Sequence, residues 1–172
     1  QIGKKIYKNL TKKELVFRDY ATNNGEFSAY IVKEKLPILN WKFISMRKKI
    51  GKFTCKAASL KFRGRDYVAW YTTEIPISHG PWKFYGLPGL IVEISSKDNN
   101  IKFRLKKISR TVSPISKINI PENGKKITFK EYVSYKNSST DEFLKKIYAK
   151  LPRGAKIKVN SITNHNIEKE FN

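Results

Sequence analysis

Short runs in which apolar or aromatic residues alternate with polar ones dominate residues 4–105. Successive side chains point to opposite faces of a strand, so such alternation predicts strands with one buried face. Eight runs of this kind are separated by turn-forming sequences such as TNNGE, RGR and KDNN. The pattern predicts a mainly antiparallel sheet of about six to eight strands, with one face buried and the other in water.

The clearest hairpin turns at Gly64, between strands that end at Phe62 and begin at Asp66. Glycine adopts a positive φ at no steric cost, as a tight hairpin turn requires. The second strand places its residues on alternating faces, with Tyr67, Ala69 and Tyr71 on one and Val68 and Trp70 on the other. The alternation therefore predicts which of these aromatic side chains share a core.

A second hairpin turns at residues 98–100, where the sequence DNN favours a tight turn. The alternation places three apolar residues of each strand on one face: Leu90, Val92 and Ile94, then Ile101, Phe103 and Leu105. Glu93 lies between Val92 and Ile94 and is therefore expected to face solvent.

The character of the sequence changes after Ser109, where Pro114 and Pro121 predict an extended connection. Two Ser/Thr-x-x-Glu capping boxes follow, at residues 128–131 and 139–142, and each predicts the start of a helix. Pro152 ends the second helix, and the alternating residues 155–160 predict a last short strand. With one or two C-terminal helices beside the sheet, the fold class is α+β.

The length of 172 residues, of which 40% are hydrophobic, predicts a single domain with a core of its own. No uncharged run approaches the roughly 20 apolar residues that cross a bilayer, so no transmembrane segment is predicted. The single cysteine, Cys55, excludes an intrachain disulfide and is expected to fill space in the core.

Positive charge is the strongest compositional feature, with 36 Lys and Arg against 14 Asp and Glu and a formal net charge of +22. Such a field attracts polyanions, among them nucleic acid, an anionic membrane surface, lipopolysaccharide or an acidic partner. Most of these cations are lysines scattered along the chain, whereas phosphate sites of fixed geometry favour arginine. The scatter favours an ordinary solvated surface, and a polyanion site stays the alternative.

Candidate catalytic residues do not form a recognisable constellation. Cys55 or Ser78 could be combined with His79, but no nucleophile elbow is present and Cys55 lies in mid-strand. Glu74 and Glu93 are the only carboxylates that bracket the glycine- and proline-rich segment, and the two histidines lack the spacing of a metal site. We therefore predict no catalytic residue, no metal and no cofactor.

Turn-forming residues crowd the segment 74–90. Pro88 fixes φ and Gly89 can take a positive φ, which is the signature of a type II turn. The predicted structural turn residues are Pro76, Gly80, Pro81, Gly86, Pro88 and Gly89. The rigid loop presents its aromatic side chains either to the open face of a sheet, which they would plug, or to a ligand. The candidate binding residues are Trp70, Glu74, His79, Trp82, Phe84 and Leu87.

This segment is also the most distinctive sequence in the chain. KKIGKFTCKA, FRGRDYVAWYTTEIPISHGPWKFYGLPGLIVEI and NHNIEKEF resemble the GLPGLI family, whose naming hexapeptide occupies residues 86–91. The resemblance implies an exported protein of Bacteroidetes, periplasmic or extracellular, with a signal peptide and further β-strands ahead of Gln1. It also implies that residues 1–172 form one GLPGLI-type domain.

A curved antiparallel sheet with helices in its concavity is similar to the half-barrel carriers of the bacterial periplasm. We therefore expect a non-catalytic binding or accessory protein of the envelope, which contacts its ligand or partner through the aromatic loop and a basic surface. An envelope protein or an anionic polymer is the expected partner. Two alternatives stay open: a hydrolase that uses Glu74 or His79, and polyanion or nucleic-acid binding driven by charge alone.

Overall fold

The computed structural model describes residues 4–23, 25–109 and 118–150, and over these ranges it contains nine strands and one helix. The strands are β1 (Lys5–Asn9), β2 (Glu14–Asn23), β3 (Glu26–Lys35), β4 (Lys42–Ile50), β5 (Phe53–Phe62), β6 (Arg65–Thr72), β7 (Leu90–Ser96), β8 (Lys102–Arg104) and β9 (Lys125–Ile127). The helix is α1 (Phe129–Tyr148). The connection at Pro114, the helix end at Pro152 and the predicted strand at 155–160 lie outside the described residues.

The strands form two sheets, not one. The described residues up to Leu36, with 118–150, make one compact unit, and residues 37–109 make the other. The first unit holds a four-stranded sheet in the order β1-β2-β3-β9, and the second holds a five-stranded sheet in the order β4-β5-β6-β7-β8. The prediction of one sheet of six to eight strands is therefore wrong. Regular pairing stops at Leu36 and Pro37, because proline cannot donate a ladder hydrogen bond.

In the first unit, β1, β2 and β3 pair antiparallel and the short β9 pairs parallel to β3. Helix α1 packs on this sheet through Tyr132, whose hydroxyl donates to Asp19 Oδ2 at 2.6 Å and whose ring meets Phe17 edge-on at 5.1 Å. The described residues therefore form a β-dominated α+β fold of mostly antiparallel strands, as predicted, and neither sheet closes into a barrel.

The capping box at the start of α1 is confirmed. The Glu131 amide donates to Thr128 Oγ1 at 3.2 Å, and the Thr128 amide donates to the Glu131 carboxylate at 2.7 Å. The second predicted helix start, at Ser139, is wrong, because α1 runs without interruption from Phe129 to Tyr148. Amides within a continuing helix already have backbone acceptors one turn earlier, so they need no cap.

The five-stranded sheet of the second unit is an antiparallel meander. The predicted hairpin between β5 and β6 is confirmed, with Arg63 and Gly64 both at positive φ, 47° and 70°, as in a type I′ turn. One face carries the first apolar cluster, which includes Tyr67, Ala69 and Tyr71 as predicted. The opposite face carries a second apolar cluster formed by Cys55, Ala57, Trp70 and Val92. The prediction of one wet face is therefore wrong for this sheet.

A β-bulge in β7 changes which residues face each side. Trp70 of β6 pairs with Glu93, but the next residue, Tyr71, pairs with Ile91, so Val92 is an extra residue in the ladder. Ile91 and Ile94 consequently lie in the first apolar cluster and Val92 lies in the second. The prediction that Leu90, Val92 and Ile94 share a face is wrong because strict alternation does not continue through a bulge.

The aromatic loop, residues 73–89, covers the first face of the sheet. Phe84 is fully buried against Tyr67, with ring centroids 4.9 Å apart, and Leu87 is 1% exposed. Hydrogen bonds fix the loop to the chain that precedes β4: the Trp41 indole donates to the Tyr85 carbonyl at 2.8 Å, and the Tyr85 hydroxyl donates to the Pro37 carbonyl at 2.5 Å. Phe84 and Leu87 of the loop therefore fill the open face, which is the first of the two roles expected for the loop.

The turn at Pro88 and Gly89 differs from the predicted type II turn. The Gly89 amide donates to the Leu87 carbonyl at 2.8 Å, across a three-residue turn, and the Leu90 amide donates instead to the Ile75 carbonyl at 3.0 Å. Gly89 has a φ of 152°, and a Cβ placed on it would lie 2.1 Å from the Thr72 carbonyl oxygen. Only glycine fits where the loop re-enters the sheet at β7.

We expect Gly89→Ala to destabilise the second unit by about 3 kcal/mol, because the added methyl group overlaps backbone that belongs to β6. Gly51→Ala is the matched control, since Gly51 also has a positive φ, 57°, but nothing lies within 4 Å of its added Cβ. The control should cost about 1 kcal/mol. Chemical denaturation followed by tryptophan fluorescence measures both, because all three tryptophans belong to this unit. Equal losses of unfolding free energy in the two variants would contradict the close approach of Gly89 to the Thr72 carbonyl oxygen.

Candidate functional site

The predicted site residues of the aromatic loop are used mainly for packing. Phe84 and Leu87 are buried in the first apolar cluster, and Trp82 is half-buried against it, with its ring 5.1 Å from that of Phe84. Trp82 also has a positive φ of 50°, a backbone conformation that is uncommon for a residue with a bulky side chain. A ligand-binding role for these three side chains stays a prediction.

Glu74 and His79 hold the aromatic loop in place. The exposed Glu74 carboxylate accepts a hydrogen bond from the Thr54 amide of β5 at 2.7 Å. His79 forms an isolated β-bridge with Tyr85, and its carbonyl accepts a hydrogen bond from the Ile91 amide at 3.0 Å. Both residues therefore make contacts that join the loop to the sheet.

Trp70 lies on the opposite face, in the second apolar cluster, and is 9% exposed. The Lys48 ammonium group lies 4.2 Å from the centre of its ring, which is a cation–π contact. Trp70 therefore lies beside a group of charged side chains.

Those charged side chains converge on Glu93. Its carboxylate accepts hydrogen bonds from Lys48 Nζ at 2.8 Å and Arg104 Nε at 2.6 Å, and Lys102 Nζ lies 3.8 Å away. Glu93 is only 4% exposed, so the prediction that it faces solvent is wrong. The bulge places it on the same face as Trp70, and the cations cover it there.

The Glu93 carboxyl group is ionised at neutral pH. Burial raises its pKa, but the hydrogen bonds from Lys48 and Arg104 and the charge of Lys102 outweigh that effect, and its pKa lies below the ordinary value of 4.5. An ionised, buried carboxylate therefore fixes the positions of two neighbouring cations.

Cys55 lies on this face as well and is fully buried. Burial, and then the nearby Glu74 carboxylate, raise the pKa of the Cys55 thiol above its ordinary value. The protonated thiol is a poor nucleophile, and its sulfur lies 3.7 Å from the Phe53 carbonyl as a weak hydrogen-bond donor. The expected packing role of Cys55 is confirmed.

A cleft of about 700 Å³ opens beside this network, and we call it the basic cleft. Half of its twelve lining residues are cationic, compared with 36 of 172 in the whole chain. These cations are Lys48, Lys49, Lys52, Arg104, Lys106 and Lys107. The apolar lining residues are Ile50, Phe53, Val92, Leu105 and Ile108. Among the described residues, no aspartate or glutamate lines the cleft.

Local structure explains how these residues meet. The β4–β5 hairpin turns at Gly51 and carries the first three lysines, while the end of β8 and the chain after it carry the other cations. The Leu105 amide donates to the Val92 carbonyl at 2.8 Å, opposite the bulge, and so extends the β8 edge toward the cleft. The cleft therefore lies between one hairpin end and the chain that leaves the sheet.

Most of these cations are available to a ligand. Lys48 and Arg104 are paired with Glu93. Within residues 4–23, 25–109 and 118–150, the other four lysines of the cleft have no carboxylate partner. Like charges that are gathered without counter-charges raise the local positive potential and attract anions.

The cleft is not predictable from the sequence pattern, although some of its lysines stand out as adjacent pairs. The pairs Lys48–Lys49 and Lys106–Lys107 are separated by more than 50 residues, and nothing in the alternation shows that they meet. Within the described residues, no three His, Cys, Asp or Glu side chains cluster as metal ligands, and no helix is long and apolar enough to cross a bilayer.

Comparison with known proteins supports the fold and leaves the function open. Residues 63–93, which span the β5–β6 turn, β6, the aromatic loop and half of β7, match a family described as "Protein of unknown function (Porph_ging)". That segment contains the GLPGLI hexapeptide, and membership of the GLPGLI family itself stays a prediction. No curated protein matches the chain.

Two crystal structures of PNGF-II resemble the protein. The P21 form is 14% identical, with a TM-score of 0.53 over 80% of this chain and 25% of that chain. The C2 form is 16% identical, with a TM-score of 0.51 over the same shares. The chain thus spans about a quarter of the length of PNGF-II, and at this identity the likeness concerns the fold alone.

We expect Glu93→Gln to destabilise the second unit by about 1–2 kcal/mol at neutral pH, because it removes a carboxylate that accepts two charge-assisted hydrogen bonds. The value stays modest since both donors are partly solvated. A folded-state pKa below the unfolded one stabilises the protein above pH 4.5, and that contribution is lost as the pH falls through the folded-state pKa.

Denaturation curves of wild type and Glu93→Gln between pH 3 and 7 should therefore differ most at neutral pH and converge in acid. Asp66→Asn, at an exposed position of β6, is the control and should track wild type. A difference for Glu93→Gln that stays constant with pH would show that the ionised carboxylate does not stabilise the fold.

Proposed function

We propose that this protein is a non-catalytic binding protein of the bacterial envelope and that its basic cleft holds an anionic ligand or an anionic group of a partner. The observation that carries the proposal is the collection of six cations, without an acidic lining residue among those described, around one cleft. In a lysine-rich chain, dispersed lysines are ordinary solvated surface. The fraction of cationic residues in the cleft lining is, however, more than twice that in the whole chain.

The energetics favour a multivalent contact. A single exposed ion pair contributes about 0.2–1 kcal/mol, so one lysine would hold an anion only weakly. Several lysines that converge on one anion act together, and Glu93 fixes two of the cations before the ligand arrives. Binding of this kind weakens as salt rises, because the exposed charges are screened.

We further propose that the five-stranded sheet is curved in the manner of half-barrel carriers, with the basic cleft on its concave side. In a flat sheet, β4 and β7 would lie about 14 Å apart, with β5 and β6 between them. The ion pair of Lys48 with Glu93 joins these two strands, which supports strong curvature. The bulges in β4 and β7 supply a local cause, since bulges bend strands.

An envelope location follows from the sequence resemblance and is part of the proposal. The anionic polymers and acidic proteins of an envelope are partners of the right charge for the basic cleft. The hydrolase alternative has no comparable support, since the Glu74 carboxylate accepts a hydrogen bond from the Thr54 amide of β5.

Tripolyphosphate, a compact anion, tests the proposal. Lys106→Gln combined with Lys107→Gln should weaken its binding about tenfold in low salt, as measured by titration calorimetry, because two of the converging charges are lost. The control combines Lys61→Gln with Lys97→Gln, which removes the same charge from exposed positions outside the cleft. The control should change binding by less than about twofold. Equal weakening in both double variants would assign the binding to diffuse charge and reject the cleft.

Trp82→Ala separates the cleft from the aromatic loop. The Trp82 ring packs edge-on against Phe62 and Phe84, so its loss should lower the stability by about 1–2 kcal/mol. Tripolyphosphate affinity should stay within about twofold of wild type, because the ring does not line the cleft. If Trp82→Ala lost its affinity for tripolyphosphate while its circular dichroism spectrum stayed unchanged, the binding site would have to include the aromatic loop.

A further inference from the structure

We propose that the ligand of the basic cleft is an amphipathic anion, in which a phosphate, sulfate or carboxylate headgroup is joined to an apolar chain or ring. The inference rests on the proposed function, which requires only an anion. The inference adds an apolar part to the ligand. The apolar residues of the cleft lining are the observation that supports it.

Five of the twelve lining residues are apolar, nearly as many as the cations. Val92 is 3% exposed, and Phe53, Ile50 and Leu105 are half-buried against the second apolar cluster. These side chains extend the core of the sheet into the wall of the cleft. A purely polar anion would leave that apolar surface in contact with water.

Both kinds of lining residue come from the same two segments, the β4–β5 hairpin and the chain from Arg104 onward, with Val92 added from β7. Within these segments Ile50, Phe53 and Leu105 pack against the second apolar cluster, and the cations lie beside them in sequence. Basic residues of two separate segments can therefore contact the charged group of a ligand that lies on the apolar wall. An uncharged apolar ligand would instead have to desolvate cations without compensation.

Glu93 leaves four lysines for the headgroup. Because its carboxylate holds Lys48 and Arg104, the cations of the cleft without a carboxylate partner in the described chain are Lys49, Lys52, Lys106 and Lys107. Lysine is a compact point charge on a flexible stem, which suits headgroups of differing shape. The cleft therefore suits ligands that are recognised by their charge and by the length of their apolar part, and it does not require one fixed headgroup geometry.

The size of the cleft also favours a small amphiphile. About 700 Å³ lies within the range of roughly 300–1,000 Å³ that small-molecule sites occupy. The phosphate backbone of an extended polyanion would contact the lysines, but it gains nothing from the apolar wall. The observations therefore favour a small amphipathic anion over a polymer.

A chain-length series tests the inference. Titration calorimetry of the wild-type protein with inorganic phosphate, butyl phosphate, hexyl phosphate and octyl phosphate, each below its micelle concentration, should show affinity rising about two- to fourfold per methylene. Octyl glucoside, which has the same tail and no charge, should bind at least tenfold more weakly than octyl phosphate.

Two variants locate the tail. Ile108→Ser changes an apolar lining residue that is 39% exposed, and it should weaken octyl phosphate about threefold or more while leaving tripolyphosphate unchanged. Ile38→Ser is the control, since Ile38 is 85% exposed and lies outside the cleft lining. The double variant of Lys106 and Lys107 to glutamine should weaken both probes.

The outcomes separate the two proposals. Affinity that depends on Lys106 and Lys107 but not on chain length would overturn the amphiphile and leave the anion-binding cleft intact. Affinity that depends on neither would overturn both. Equal binding of octyl glucoside and octyl phosphate would show an apolar groove without charge recognition and would also overturn the inference.

Vesicles distinguish free from membrane-bound amphiphiles. Vesicles of phosphatidylcholine with one quarter phosphatidylglycerol are added to the protein, with and without octyl phosphate. Displacement by octyl phosphate supports the cleft as a lipid-headgroup site. Vesicle binding that octyl phosphate leaves unchanged assigns the vesicles to other surface lysines and supports a free amphiphile as the cleft ligand, provided the chain-length series holds.

Discussion

The bulge in β7 is the constraint on which both faces of the five-stranded sheet depend. One extra residue, Val92, lets Ile91 and Ile94 join the first apolar cluster while Val92 and Glu93 turn to the other side. An unbroken strand would place either Val92 or Glu93 on the first face, among Tyr67 and Phe84. Burying a carboxylate in that aromatic cluster without cations would cost several kcal/mol. The bulge thus permits an apolar core and a buried charge on the same strand.

The two faces are then covered by different chemistry. On the first face, the aromatic loop supplies Phe84 and Leu87, and backbone turns at Pro88 and Gly89 bring the chain back into the sheet. On the second face, long side chains cover the core: Lys48 lies over Trp70, and Arg104 reaches Glu93. Lysine and arginine suit this role because their stems pack on apolar surface while their charges stay in water. Part of the excess positive charge of the chain therefore has a structural use.

Several local features of this protein are predictable from its sequence, with the capping box at Ser139 and the turn at Pro88 as exceptions, whereas its long-range pairing is not. The turn at Gly64, the faces of β6 and the capping box at Thr128 each depend on residues within a few positions of one another, and all three are confirmed. The division into two sheets and the bulge at Val92 depend on pairing between distant strands. Alternation predicts faces only while the register is unbroken.

The candidate site shows the same division. The glycines, prolines and tryptophan of the aromatic loop are conspicuous in the sequence, and in the structure Phe84, Leu87 and Trp82 pack on the sheet. The lysines of the basic cleft look ordinary one by one, and only their meeting in space is informative. Glu93 was missed as a buried group because its burial depends on Lys48, which lies 45 residues away in sequence.

The position of the matched family segment limits what a family can say about function. Residues 63–93 contain the aromatic loop, Trp70 and Glu93, which together build both faces of the sheet. The cations of the basic cleft all lie outside that segment, in β4 and its turn and in the chain from Arg104 onward. A protein can therefore share the segment, keep the sheet and carry different residues around the cleft. Because function depends on the site and not on the fold, the ligand has to be argued from the flanking residues of each chain.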